Sequence, residues 1–124
     1  MKPEERLQIA SMNYIRLQYP NIIAFHVRNE GIKGTKAQKM AYGAKYKKMG
    51  VLKGVSDIII LEPKAIYHGL MIELKLEKTL TQRKTYPSKE QKEFLSKCSD
   101  KGYMTRVCRS VDEVVAIVDL YMNL

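Results

Sequence analysis

Two apolar segments that carry charged residues in their middle constrain the fold of this chain most strongly. Residues 54–61 and 69–76 are dominated by the β-branched and aliphatic residues that favour strands. The connection 62–68 is short enough for a β-hairpin. Asp57 lies in the first strand, and Glu73 and Lys75 lie in the second. Side chains alternate along a strand, so Glu73 and Lys75 share a face and a hairpin can bring Asp57 beside Glu73.

The chemistry of these three residues predicts a metal site. Burying charged groups in a strand costs several kcal/mol unless they are paired or bind a metal ion. Two neighbouring carboxylates repel each other, whereas Mg²⁺ prefers oxygen ligands and is usually held by one or two carboxylates. Asp57, Glu73 and the backbone carbonyl of Leu74 offer such ligands, and Lys75 can orient an attacking water. The alternative is a structural ion pair of Lys75 with Asp57 or Glu73.

Positive charge is concentrated just before these strands. The net charge of the chain is +9, and residues 28–53 carry +7 of it, because Glu30 is their only acidic residue. The basic residues of this segment are Arg28, Lys33, Lys36, Lys39, Lys45, Lys47, Lys48 and Lys53. Tyr42 and Tyr46 lie among them, a pattern typical of a surface that binds a sugar-phosphate backbone. Arg28 and Asn29 are further candidates for a phosphate contact, and the alternative is a solvated basic loop without a ligand.

The remaining segments predict a mixed sheet flanked by helices. Pro3 begins a helix that Pro20 ends, and Ser110 with Glu113 forms a capping box for the last helix. The pattern predicts strands at 22–27 and 103–108, a short helix or partly ordered flap at 35–49, and a helix at 88–101. The order is therefore α, β, a basic insertion, β, β, α, β, α, which predicts an α/β fold.

Length and composition limit the class of protein. A chain of 124 residues predicts one domain over 1–124, and no apolar run approaches the roughly 20 residues of a membrane span. The N-terminal residues do not resemble a secretory signal, so a cytoplasmic location without a membrane partner is expected. Cys98 and Cys108 lie in apolar patterns and are interpreted as small core residues.

Several motifs together resemble one known family. The runs GVSDIII (54–60), GLMIELK (69–75) and SKEQ (88–91) resemble the VRR-NUC domain, the virus-type replication and repair nucleases of the PD-(D/E)XK superfamily. The runs EERLQ (4–8), FHVRNEG (25–31), GY (102–103) and VCRS (107–110) are similar to compact single-domain members encoded by phages. The resemblance extends over nearly the whole chain.

This resemblance implies a fold and an activity. The expected fold is a restriction-endonuclease-like core, a central mixed sheet flanked by helices, with the basic insertion before the second strand. The expected activity is a Mg²⁺- or Mn²⁺-dependent endonuclease that cuts branched DNA, as a homodimer that resolves Holliday junctions in the cytoplasm of a bacterial or phage-infected host. The alternatives are a monomeric nickase or flap nuclease and a DNA-binding module without catalysis.

The resemblance also assigns roles to residues. Asp57 and Glu73 match the metal-binding carboxylates of the family, and Lys75 matches its catalytic lysine. The proline that usually precedes the first aspartate is replaced by Ser56, a departure that removes no ligand.

Two further site residues are predicted on helices. Gln91 matches a glutamine that supports the site, although Ser88 and Gln91 also form a capping box. A glutamate of the first helix matches the remaining acidic residue. Glu4 is preferred to Glu5 because it stands four residues before Gln8, and the alternative for both is helix-start electrostatics.

Overall fold

The computed structural model describes residues 1–28 and 31–124. These residues form a four-stranded sheet with the strand order β1-β2-β3-β4. The elements are α1 (Pro3–Gln18), β1 (Ala24–His26), α2 (Lys36–Lys48), β2 (Ile58–Ile60), β3 (Leu70–Leu74), α3 (Lys89–Asp100), β4 (Met104–Cys108) and α4 (Val111–Met122). β1, β2 and β3 pair antiparallel, and β4 pairs parallel to β3. The predicted α/β fold with a mixed sheet is confirmed.

The core lies between one face of the sheet and the helices α1 and α4. Ile58, Ile60, Leu70 and Ile72 are completely buried on the sheet side. On α4 the buried residues are Val114, Ile117, Val118 and Tyr121, the spacing of one helical face. Cys108 belongs to this core as a free thiol, which confirms its interpretation as a small core residue, and Cys98 is a half-buried free thiol.

Strand β2 is shorter than the apolar pattern predicted. Its ladder begins at Ile58, whereas the sequence favoured a strand from residue 54. Gly54 has a φ of 91°, a left-handed conformation that does not occur in a strand. The carboxylate of Asp57 accepts the main-chain N–H of Leu74 and so takes the place of a ladder carbonyl. The segment 54–57 therefore contacts β3 through the Asp57 side chain and not through main-chain hydrogen bonds of a strand ladder.

The basic segment forms a regular helix. Thr35 and Gln38 build a capping box at the start of α2, which explains why the helix begins there. None of the 13 residues of α2 is buried. Of the two predicted alternatives the structure has the short helix with a solvated charged face.

Serine residues begin the last two helices. Ser88 and Gln91 form the predicted capping box of α3. Ser110 accepts the N–H of Glu113 at 3.1 Å. The carboxylate of Glu113 accepts the N–H of Arg109 instead of Ser110, so the prediction of a complete capping box at α4 was wrong. Within the described ranges, no helix has the length and apolar character to cross a lipid bilayer.

Gly54→Ala is expected to lower the free energy of unfolding by about 2–4 kcal/mol. A Cβ at this position would lie 2.5 Å from the main-chain carbonyl of Glu90, in addition to the strain of the positive φ. Gly50 is the matched control, because its φ is 93° and no atom lies within 4 Å of its Cβ position. Gly50→Ala should lower the free energy of unfolding by only about 1 kcal/mol. Urea unfolding of both variants measures the difference, and equal costs would contradict the packing role of Gly54.

Candidate active site

Asp57 and Glu73 lie opposite each other where β2 and β3 begin to pair. The antiparallel register pairs Ile58 with Ile72, and one further step places Asp57 across from Glu73 on the same face. Asp57 Oδ2 accepts the N–H of Leu74 at 2.7 Å. This bond fixes the Asp57 carboxylate against β3. The hairpin therefore brings the two predicted carboxylates together.

The Glu73 carboxylate is buried and only partly compensated. Its residue is 1% exposed, and its Oε1 lies 3.5 Å from Nζ of Lys75. Its Oε2 is buried and has no hydrogen-bond partner among the described residues. A buried oxygen without a partner costs about 1–3 kcal/mol, and more when the group is charged. Such an oxygen is suited to a ligand that the protein itself does not supply.

The pKa of Glu73 also indicates that the site has too little positive charge to balance its two carboxylates. Burial, and then the neighbouring Asp57 carboxylate, raise the pKa of Glu73 to about 8. The Lys75 ammonium acts in the opposite direction but does not cancel these effects. At neutral pH the site therefore retains a proton or requires a cation from outside.

The donor set fits a hard divalent cation. Glu73 Oε2 and the Asp57 carboxylate supply two oxygens. The N–H and C=O of one strand residue point to the same edge, so the Leu74 carbonyl faces Asp57 as its N–H does. Residues 1–28 and 31–124 contain no cluster of three His, Cys, Asp or Glu residues that could hold a metal ion. A cation here would need water and substrate phosphate as its other ligands, and Mg²⁺ is usually coordinated in this way.

The two glutamates of α1 have different environments. Glu4 lines a cavity of about 170 Å³ together with Leu74, Lys75 and Thr85. Glu5 Oε2 accepts the N–H of Lys2 at 3.4 Å and serves the start of the helix. Glu4 is thus the glutamate beside Lys75, although it does not join Asp57 and Glu73 in a three-residue cluster within the described chain.

Gln91 caps α3 beside the segment that leads to Asp57. Its amide oxygen accepts the N–H of Ser88 at 2.8 Å. The Cα of Gly54 packs against the main chain of Glu90 and Gln91. The capping interpretation is therefore confirmed, and a direct role of Gln91 in the site stays a prediction.

The predicted DNA-binding residues lie mostly on α2. Lys36, Lys39, Lys45, Lys47 and Lys48 belong to this helix, and all are exposed, as are Lys33 and Lys53. Lys53 Nζ lies 3.7 Å from Glu90 of α3, and the rings of Tyr42 and Tyr46 stack at 6.2 Å. Arg28 is exposed and has interactions within the chain. Asn29 lies outside the described residues.

Two residues that support the site were not predicted from the sequence as site residues. His26 Nδ1 lies 2.6 Å from the main-chain carbonyl of Asp57 and holds the backbone there. Arg109 donates to the carbonyls of Leu76 and Thr85 at 2.8 and 2.7 Å, just after Lys75. The β1–β2 register could have indicated His26, but Arg109 carries no local signal because its partners are more than 20 residues away.

Glu73→Gln is expected to change how stability depends on pH. Because the folded pKa of Glu73 lies above its ordinary value of 4.5, wild-type stability contributed by this group falls between about pH 4.5 and pH 8. In chelator-treated buffer the variant should gain stability relative to wild type across this window and hold that gain above it. Thermal unfolding at several pH values measures the difference. The exposed carboxylate variant Glu93→Gln is the control, and equal pH profiles for Glu73→Gln and wild type would contradict the shift.

Comparisons with known proteins agree with this geometry. Residues 7–112 match the model of the VRR-NUC domain family. A solved structure of a VRR_NUC domain protein superposes with a TM-score of 0.75 at 26% sequence identity, over 100% of this chain and 91% of that chain. No curated protein matches this chain. The resemblance seen in the sequence is confirmed: the chain belongs to the VRR-NUC domain family, which implies a nuclease-type function.

Proposed function

We propose that this protein is a metal-dependent endonuclease that hydrolyses phosphodiester bonds in branched DNA. The observation that carries the proposal is the group of Asp57, Glu73 and Lys75 at the β2–β3 junction. The buried Glu73 carboxylate lies beside the half-buried Asp57, and its Oε2 has no hydrogen-bond partner among the described residues, which is costly for stability alone. Family membership makes a nuclease site the best explanation of that cost.

Asp57, Glu73 and the Leu74 carbonyl would hold the cation, Mg²⁺ or Mn²⁺. When bound, a divalent cation acts as a Lewis acid on the phosphate and lowers the pKa of a bound water. Two features support this proposal: Glu73 Oε2 has no hydrogen-bond partner within residues 1–28 and 31–124, and the Asp57 carboxylate is fixed by the N–H of Leu74.

Lys75 and Glu4 would act on the reacting groups beside the metal-binding carboxylates. The Lys75 ammonium, held 3.5 Å from Glu73, offsets negative charge that develops on the phosphate and orients the attacking water. Glu4 lines the same cavity as Lys75 and would accept a hydrogen bond from that water or from the ammonium. Gln91 would act as a positioning residue, because it fixes the start of α3 against the segment before Asp57.

The exposed basic face of α2 would hold the DNA backbone. None of its lysines is buried, so all can reach phosphates with little rearrangement. Lysine–phosphate contacts are independent of base sequence and release condensed counterions. Binding through α2 is therefore expected to be strong at low salt and tolerant of sequence.

We further propose that two copies act together as a Holliday-junction-resolving homodimer. A two-fold axis would place two equal sites on a branched substrate and permit paired cuts. The large apolar side chains of Leu17 and Leu120 are exposed on α1 and α4, as interfaces between copies often require. Sedimentation measures whether the protein is a dimer or a monomer. Cleavage of cruciform, flap and linear DNA then distinguishes a junction-resolving enzyme from a nickase or a flap nuclease.

Replacing two of Lys45, Lys47 and Lys48 with glutamine should weaken binding to all DNA sequences equally. The slope of log affinity against log salt should fall by about 2, roughly 0.9 per lost phosphate contact. Filter binding or anisotropy over a salt series measures the slope. Lys92→Gln with Lys101→Gln is the control, since these lysines are exposed on or next to α3. An unchanged slope in the α2 variant would refute its role.

Glu73→Gln should still bind branched DNA but lose cleavage by about a hundredfold or more, because the amide cannot replace an anionic ligand. Cleavage of DNA in Mg²⁺ and in Mn²⁺, measured together with DNA affinity, separates loss of catalysis from loss of binding. Asp100→Asn, an exposed substitution at the end of α3, should cut like wild type. If the wild type cuts no DNA structure with either metal, the non-catalytic binding module replaces the nuclease proposal.

A further inference from the structure

The exposed loop 77–84 follows β3 after Lys75 and Leu76, and its base is fixed. The N–H of Leu76 donates to Thr85 Oγ1 at 2.7 Å, and the N–H of Thr85 donates to the Leu76 carbonyl at 3.0 Å. The Arg109 guanidinium also donates to the main-chain carbonyls of Leu76 and Thr85. The loop therefore leaves and re-enters the fold at one point, beside the candidate active site.

The tip of this loop is also ordered by its own hydrogen bonds. The N–H of Thr79 donates to the Gln82 carbonyl at 3.1 Å, and Thr79 Oγ1 accepts the N–H groups of Thr81 and Gln82. The Gln82 amide donates to the Glu77 carbonyl at 2.8 Å. A tip closed in this way loses little conformational entropy when it contacts a ligand.

The side chains of the loop combine one exposed apolar group with positive charge. Leu80 occupies the turn and is fully exposed, at 106% of its reference area. Lys78, Arg83 and Lys84 belong to the same loop, whose single acidic residue is Glu77, and Lys84 Nζ lies 3.6 Å from Glu77 Oε1. At the base, Tyr86 is 67% exposed, with the Arg109 guanidinium 5.3 Å from its ring centroid. An apolar tip among cations fits a polyanion that presents an apolar face.

We propose that Leu80 is an apolar wedge that covers the exposed base stack at a DNA branch point and thereby selects branched over continuous DNA. This inference rests on the proposed nuclease function and names a determinant of its substrate choice. Inserting a side chain between stacked base pairs costs a few kcal/mol in a continuous duplex. At a branch the stack is already interrupted, so the same side chain contacts a base face without that cost. Lys78 and Arg83 hold the flanking phosphates, and Lys84 stays paired with Glu77.

The position of the loop limits where such a wedge can act. Leu80 is five residues from Lys75, which spans at most about 17 Å of chain. This reach corresponds to about five base-pair rises of 3.4 Å. With the lengths of the two side chains added, a wedge at Leu80 places the branch within about one helical turn of the bond that is cut.

The test uses the full chain with Glu73→Gln, so that DNA is bound without being cut. Leu80→Ser in this background should lower affinity for a four-way junction by about tenfold, the scale of burying part of a leucine side chain. Affinity for a linear duplex of the same sequence should stay unchanged. Leu80→Met should retain the junction preference, because it keeps the apolar length. The control is Ile66→Ser, which removes an apolar side chain that is 82% exposed in the β2–β3 connection.

The outcomes separate the wedge from the nuclease proposal. A junction preference that survives Leu80→Ser, or an equal loss on junction and duplex, overturns the wedge. Loss of junction binding in Ile66→Ser as well would also overturn it, since the effect would then be general. Cleavage by the wild type is scored separately, so a wild type that binds junctions through Leu80 but cuts none refutes hydrolysis alone. Thermal unfolding of Leu80→Ser should match the parent.

Discussion

The buried carboxylate of Glu73 beside Asp57 is the interaction on which the rest of this structure depends. Water is excluded from Glu73, so its repulsion with Asp57 is stronger than it would be at the surface. The nearby ammonium of Lys75 relieves this repulsion only in part. The remaining imbalance is the physical reason for proposing a cation at this position. Hydrophobic residues of similar volume would be as stable or more stable there.

The surrounding sheet keeps this pair in place because β3 is buried along its whole length. Antiparallel pairing on one side sets Asp57 across from Glu73, and parallel pairing on the other side fixes the strand end near Cys108. His26 and Leu74 hold Asp57 through its carbonyl and its carboxylate. The carboxylates thus sit on rigid elements, as a site that must position a phosphate requires.

Features that follow from strand alternation and helix capping could be predicted from the sequence. Strand alternation and a short hairpin placed Asp57 beside Glu73, and serine residues marked the starts of α3 and α4. The limits of β2 could not be predicted, because Asp57 replaces a ladder carbonyl only once β3 is in place. The cavity shared by Glu4 and Lys75 depends on the packing of α1, which no local pattern encodes.

The isolation of α2 from the core has a consequence for how such proteins diverge. All 13 residues of this helix are solvated to some degree, so substitutions on it leave the packing of the sheet untouched. The residues of β3 have no such freedom, because each of them is buried. Substitutions on α2 can therefore change its surface charge at little cost to folding, whereas substitutions on β3 also change the packing of the sheet.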